Sequence, residues 1–309
     1  QRPASLILAL LISRMAGRRS RFNRAEQKPS KKGRAVIAKR GKEKVSSGHE
    51  GIDDLLKFAI EVIHHCGEKA LSFYGKGQKD VKFDEGLVTE AELHLREFFQ
   101  DQLFTRFPDH KVYRTERVDD GYTHGGKRYL WIYDPLDGVA NFQAGIPVWG
   151  TSIALFENHW PLFGLFHLPV TGDLFHAQAG HKAMWGQKQI RVSSQEVINN
   201  ESLLLTYSRF HQRYQCSFPG KIRSLGCTAA HVCYVAMGRA EAAVLGSESY
   251  KDLAAAAVIL EAAGGKIYKM DGKEVFLSEY MDEGRIQDHL LVVAPDKYFE
   301  VRGFLRESY

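Results

Sequence analysis

The chain has 309 residues, 44% hydrophobic and 26% charged, the proportions of a folded protein with length for one large domain or two. No apolar run reaches the roughly eighteen residues of a membrane-spanning helix, and long chains with ordinary composition have ample sequence for a buried core. The net charge of +5 is unevenly placed: residues 1–48 hold fourteen basic residues against two acids, +12, so the remaining residues carry −7. An acidic folded body does not point to a nucleic-acid-binding surface.

Residues 1–48 are rich in Arg, Lys and Ser and show no core-forming pattern, so disorder is expected there. The short apolar run Leu6–Ile12 has part of the form of a secretory signal; an Arg-rich presequence and a translated upstream segment are the other readings. The segment is read as a dispensable tail. The four cysteines, at 66, 216, 227 and 233, form no CxxC pair and suit a reducing cytoplasm.

In chain order, Ile52–Tyr74 has amphipathic spacing through Leu55, Leu56, Ile60 and Ile63 and predicts a helix stopped by Gly75. Thr89 before Glu90 and Glu92 predicts the N-cap of a second helix running to about Phe104. His110–Arg114 predicts a strand, and residues 119–127 a Gly-rich loop. Leu130–Tyr133 then reads as a buried strand, which Asp134 should finish because Pro135 disfavours helical geometry in the residue before it. Gly150–Glu157, Leu162–His167 and Leu174–Ala179 predict an antiparallel meander, with Ile190–Val192 as a further strand.

The pattern restarts near Asn199. Strands are predicted at Leu203–Tyr207, Ile222–Leu225, Ala242–Leu245, Lys266–Lys269 and Leu290–Ala294. Helices are predicted at Thr228–Met237 and Leu253–Ala263, with a last one N-capped by Asp296. The organisation expected is a tail, 1–48, an N-terminal α+β subdomain, 49–195, and a C-terminal α/β subdomain, 196–309.

Three carboxylates look placed. Asp134 and Asp137 flank Pro135 and precede Gly138, a stiff turn that could hold a divalent cation, since a hard metal favours fixed oxygen ligands. The same residues are also ordinary turn formers. Asp252, before an Ala-rich helix, reads either as an N-cap or as a third metal ligand. His64, His65 and His231 lie on predicted helices without metal spacing, and no nucleotide fingerprint, nucleophile elbow or zinc motif is present.

These residues carry a resemblance. Trp131-Ile-Tyr-Asp-Pro-Leu-Asp-Gly-Val-Ala-Asn-Phe142 resembles the first signature of the inositol monophosphatase family, and Lys251-Asp-Leu-Ala-Ala-Ala-Ala with Glu261-Ala-Ala-Gly-Gly265 its second. Leu87–Glu92, Arg223–Ala230 and Tyr234–Arg239 are similar to other family blocks, so the likeness runs in order over about residues 50–305. It implies an αβαβα sandwich of two subdomains in an α+β fold like that of fructose-1,6-bisphosphatase. It also implies Mg²⁺-dependent hydrolysis of a small phosphate monoester, with two or three ions.

Carried over by position, Asp134 would bridge two metals, the Leu136 carbonyl would ligate one, and Asp137 and Asp252 would hold the second. Gly138 and Val139 would lie against the phosphate, with Asp252 beside them. The family's first metal-binding Glu falls on Thr115; a one-residue shift would substitute Glu116, which is otherwise a surface acid. The resemblance makes Asp134, Asp137 and Glu116 the catalytic set.

Three further positions depart from the family pattern. Val139 replaces a Thr whose hydroxyl orients the attacking water, Leu245 replaces an inositol-contacting Glu, and Lys251 replaces a Trp. Lysine is mostly exposed, so Lys251 is expected to point to solvent, with contact to an anionic substrate as the other reading. The alternatives kept are a non-catalytic or weakly active binding protein and a 3′(2′),5′-bisphosphate nucleotidase. A cytoplasmic enzyme and candidate homodimer, with a small phosphate ester as its ligand and no membrane contact, completes the expectation.

Overall fold

The structure, a computed structural model, describes residues 51–76, 85–113, 129–281 and 285–308, with backbone alone for 85–89. Residues 49–309 make one compact unit. The basic segment 1–48, with its expected disorder, lies outside the described residues.

The chain opens with helices α1 (Ile52–Leu71) and α2 (Glu85–Arg106), then strands β1 (Lys111–Val112) and β2 (Tyr129–Asp137). Helix α2 begins four residues before Thr89, so Thr89 lies inside the helix and is not its cap. A short helix α3 (Val139–Ala144) leads to β3 (Gly150–Glu157), β4 (Trp160–Leu168), β5 (Asp173–Gln178), β6 (Met184–Trp185) and β7 (Lys188–Gln189). These strands form one seven-stranded sheet in sequence order, antiparallel from β2 onward, so the expected meander is present. Ile190–Val192 is not a strand; the last two strands of the sheet fall before it.

The chain continues with β8 (Leu203–Thr206), helix α4 (Phe210–Arg213), β9 (Tyr214–Cys216), β10 (Lys221–Arg223), helix α5 (Thr228–Ala236), β11 (Ala242–Leu245), β12 (Glu248–Ser249), helix α6 (Tyr250–Ala262), β13 (Lys266–Lys269), β14 (Arg285–Ile286) and β15 (Leu290–Val293), which supply the second sheet and two short strand pairs. Helix α7 (Tyr298–Gly303) and β16 (Leu305–Glu307) close the chain. The five-stranded order is β10-β8-β11-β15-β13. A 3₁₀ turn, Pro295–Lys297, precedes α7, so Asp296 does not cap an α-helix as expected.

Strand periodicity explains the layers, because alternate side chains face opposite sides of a sheet. On the first sheet Trp131, Tyr133, Ile153, Leu155, Phe163 and Leu165 pack with α1 and α2. Ile132, Ala154 and Phe156 turn the other way, toward Tyr250, Ala254 and Ala255 of α6. On the second sheet Leu205, Ala243, Leu245, Leu290 and Val292 face α5 and α6, whereas Leu204, Ala242, Val244, Leu291 and Val293 face Phe210, Tyr298 and Val301. The result is an αβαβα sandwich. The Ala-rich sequence of α6 suits a helix wedged between two sheets. At Gly164 on β4 even a single added carbon would lie 2.4 Å from the Ala255 carbonyl oxygen.

Histidine 231 is buried on α5, where its Nε2 accepts the Leu225 backbone N–H at 2.9 Å. Burial pushes its pKa down to about 4. A histidine whose folded pKa lies below its unfolded value near 6.5 stabilises the fold above 6.5 and loses that contribution as the pH falls toward 4. Between pH 7 and 4 the protein should lose on the order of 3 kcal/mol more unfolding free energy than His231→Gln, measured by urea denaturation. Parallel pH profiles for the two proteins would contradict this.

Candidate active site

Strand β2 does not end at Asp134 as Pro135 led us to expect; it continues through Asp137 with a bulge. Asp134 pairs with Ser152 and Asp137 with Gly150, so three steps along β2 match two along β3. In a regular strand residues i and i+3 face opposite sides. The extra residue cancels that opposition, which is how a bulge re-aims a side chain. Gly138 then turns the chain at φ +87°, and an added Cβ there would meet the Val148 carbonyl oxygen at 2.9 Å. The turn therefore needs glycine on both counts.

Both acids are buried, Asp134 completely. Asp137 is answered by the start of α5: the Thr228 N–H donates to Oδ1 at 3.1 Å, and the Ala229 N–H and the Cys227 thiol donate to Oδ2. Helix α5 has no side-chain cap from Cys227, its own N-cap residue. A carboxylate from the first sheet does that work, favoured by the positive end of the helix dipole.

Helix α6 supplies the other half. It begins at Tyr250, so Asp252 is in its first turn and is not its N-cap, which is Ser249. Asp252 lies close enough to Asp134 and Asp137 that burial, followed by those two charges, raises its pKa. Burial and Asp134 raise that of Asp137 as well. The three carboxylates singled out in the sequence are thus neighbours. Leu136, between the first two, packs its side chain into the core. Val139 opens α3 beside them. Thr115 and Glu116 lie outside the described residues.

Two further charged groups join the cluster. Lys251 does not point to solvent: its Nζ lies 2.7 Å from Asp134 Oδ1 and 3.9 Å from Asp252 Oδ1. Burial opposes its charge, but Asp134 and Asp252 outweigh that and hold its pKa above the ordinary value. Glu248, four residues before Asp252, accepts the Thr228 hydroxyl at 2.9 Å, and burial above all pushes it up to about 7. Sequence reasoning looked for an acid at position 245 and passed over 248. The signal was three residues further on, in Ser247-Glu248-Ser249. Leu245 itself is fully buried in the core between the sheets.

Among the described residues no group of three or more His, Cys, Asp or Glu side chains is already spaced around an ion position. The donor chemistry nevertheless fits a hard cation. Asp134 Oδ2 is buried without a hydrogen-bond partner among the described residues, and Asp252 faces like charges. A buried, unanswered carboxylate oxygen carries a desolvation cost that a divalent ion removes.

The chain has counterparts among known proteins. A model described as the inositol monophosphatase family matches residues 52–297. A fructose-1,6-bisphosphatase/inositol-1-monophosphatase of Thermotoga maritima is 28% identical over 261 residues, covering 81% of this chain and 99% of its own. A histidinol-phosphatase of Chlorobaculum parvum is 31% identical over 229 residues, covering 71% and 87%. The solved inositol monophosphatase-II of Staphylococcus aureus superposes with a TM-score of 0.66 over 81% of this chain and 92% of its own; at 22% identity that likeness concerns the fold.

Asp137→Asn replaces one acceptor oxygen by an NH₂ group that must face a donor at the start of α5. The substitution should lower unfolding free energy by about 1–3 kcal/mol at pH 7 in urea denaturation. An unchanged value would mean that α5 does not depend on this carboxylate.

Proposed function

We propose that this chain, which belongs to the inositol monophosphatase family, is a Mg²⁺-dependent hydrolase of a small phosphate monoester. The observation that carries the reading is the meeting of Asp134, Asp137 and Asp252, which lie far apart along the chain, around a buried carboxylate oxygen that has no partner among the described residues. Asp134, Asp252, the Leu136 carbonyl and Asp137 would hold the ions, with Glu116 as a further ligand. Bound there, such ions neutralise the anionic ester and lower the pKa of a water.

The chain's own residues set the remaining conditions. Gly138, at positive φ, lets the backbone come close at the turn where the phosphate would lie. The Thr228 hydroxyl is committed to Glu248, so it is held in one orientation. Val139 has no hydroxyl to orient a water, and a missing general acid–base contact of this kind costs about 10²–10⁴ in rate. Leu245 is core, so it offers no carboxylate to a polyol. Both features favour a slow enzyme whose best substrate is not myo-inositol phosphate.

Asp252 is the better residue for the test, because Asp137 also holds α5. The substrates named for the relatives, fructose bisphosphate, inositol 1-phosphate and histidinol phosphate, make a first panel, with adenosine 3′,5′-bisphosphate added for the nucleotidase reading. We place the protein in the cytoplasm; its four cysteines are free, and no helix among the described residues is long and apolar enough to cross a membrane. Phosphate release from at least one of these esters should require Mg²⁺ and fall about a hundred-fold or more in Asp252→Asn. Val139→Thr should raise it about ten-fold or more. No release by either the wild type or Val139→Thr would favour a non-catalytic role.

A further inference from the structure

Asp134 is completely buried, and its two oxygens are treated differently. Oδ1 takes the Lys251 ammonium at 2.7 Å; Oδ2 has no hydrogen-bond partner among the described residues. The ammonium also stands 3.9 Å from Asp252 Oδ1, so one cation lies between an acid of β2 and an acid of α6. That is the place a metal ion would take if it joined those two elements.

We propose that Lys251 is a tethered cation of this cluster, standing in for one divalent ion, so that the site takes up one ion fewer than it would with a neutral residue at 251. The inference rests on the metal-dependent reading above and concerns how many ions that site accepts.

Charge and geometry carry it. Glu248 accepts the Thr228 hydroxyl and Asp137 the Thr228 N–H, while Asp134 and Asp252 both lie against Lys251, so four carboxylates share one region. Among the described residues Lys251 is the cation that contacts two of them. It sits in the first turn of α6, and its side chain is about three-quarters buried. A helix residue with a buried stem can reach Asp134 at little further entropic cost. Like charges a few ångströms apart repel strongly where water is scarce, so an incoming divalent ion at Oδ1 would have to displace the ammonium. Oδ2 carries no such competitor. The arrangement leaves one oxygen of Asp134 for a metal and closes the other. Lysine suits the task as a compact, strongly charged group with three donors and no acceptor.

The test is Mn²⁺ binding by the full chain, counted from the free-ion electron paramagnetic resonance signal at fixed pH, for the wild type, Lys251→Met and Lys251→Arg. The methionine variant keeps length and apolar stem while removing charge. It should bind one more ion than the wild type, with affinity at that position about ten-fold or more higher than any residual second binding in the wild type. The arginine variant, which keeps a cation, should match the wild type. Equal stoichiometry and affinity in the wild type and Lys251→Met would overturn the proposal while leaving the metal site standing. Binding by none of the proteins would overturn both this proposal and the metal-dependent reading. Should Lys251→Met not fold, Lys251→Gln, which is also neutral, takes its place in the count with the same outcomes deciding.

Discussion

A carboxylate taken out of water has to be answered by donors, and Asp137 is answered by the first turn of α5. That contact ties the end of β2 in the first sheet to the middle helical layer. Helix α5 lies beside α6, and both are also packed against the second sheet. The position of α5 therefore depends on a group that belongs to neither the helix nor its neighbouring loop. The bulge in β2 is what makes the contact possible while Asp134 remains beside it.

The same arrangement concentrates negative charge. Asp134, Asp137, Asp252 and Glu248 are brought together by the end of β2, the first turn of α6 and the short strand β12 just before it, with β2 and α6 held by extensive apolar packing. Burial raises the protonation tendency of Asp137, Asp252 and Glu248 because each is kept from water and set near other acids. Lys251 relieves part of that repulsion from inside the protein. The cluster is thus neither a plain structural salt bridge nor a bare metal cage. Packing holds it together, and cations relieve it.

Much of the architecture was legible because it follows periodicity. The β3–β5 meander alternates large apolar residues about short turns, and β11, β13 and β15 are short apolar runs whose two faces separate cleanly into different cores. Local rules misled where a distant contact took over. Pro135 signalled the end of a strand, yet β3 continues to pair across it through the bulge. Asp252 had the composition of an N-cap, but the helix starts two residues earlier at Tyr250, whose ring is fully buried against Ile132 and Phe156. Lys251 was expected in solvent by residue type. Its actual place is set by Asp134, which is 117 positions away.

By itself the sequence determined most of the strands and helices, that the acids at 137 and 252 sit at element ends, and which family the chain resembles. Those properties reside in spacing, turn residues and local signatures, which a single chain carries within short windows. Only the tertiary structure decided that Asp137 caps α5, that Glu248 belongs to the acidic cluster, and that Lys251 occupies one oxygen of Asp134 while the other has no hydrogen-bond partner among the described residues. The reason is range. A buried charge is governed by whatever lies within a few ångströms, and packing, not sequence separation, chooses those neighbours.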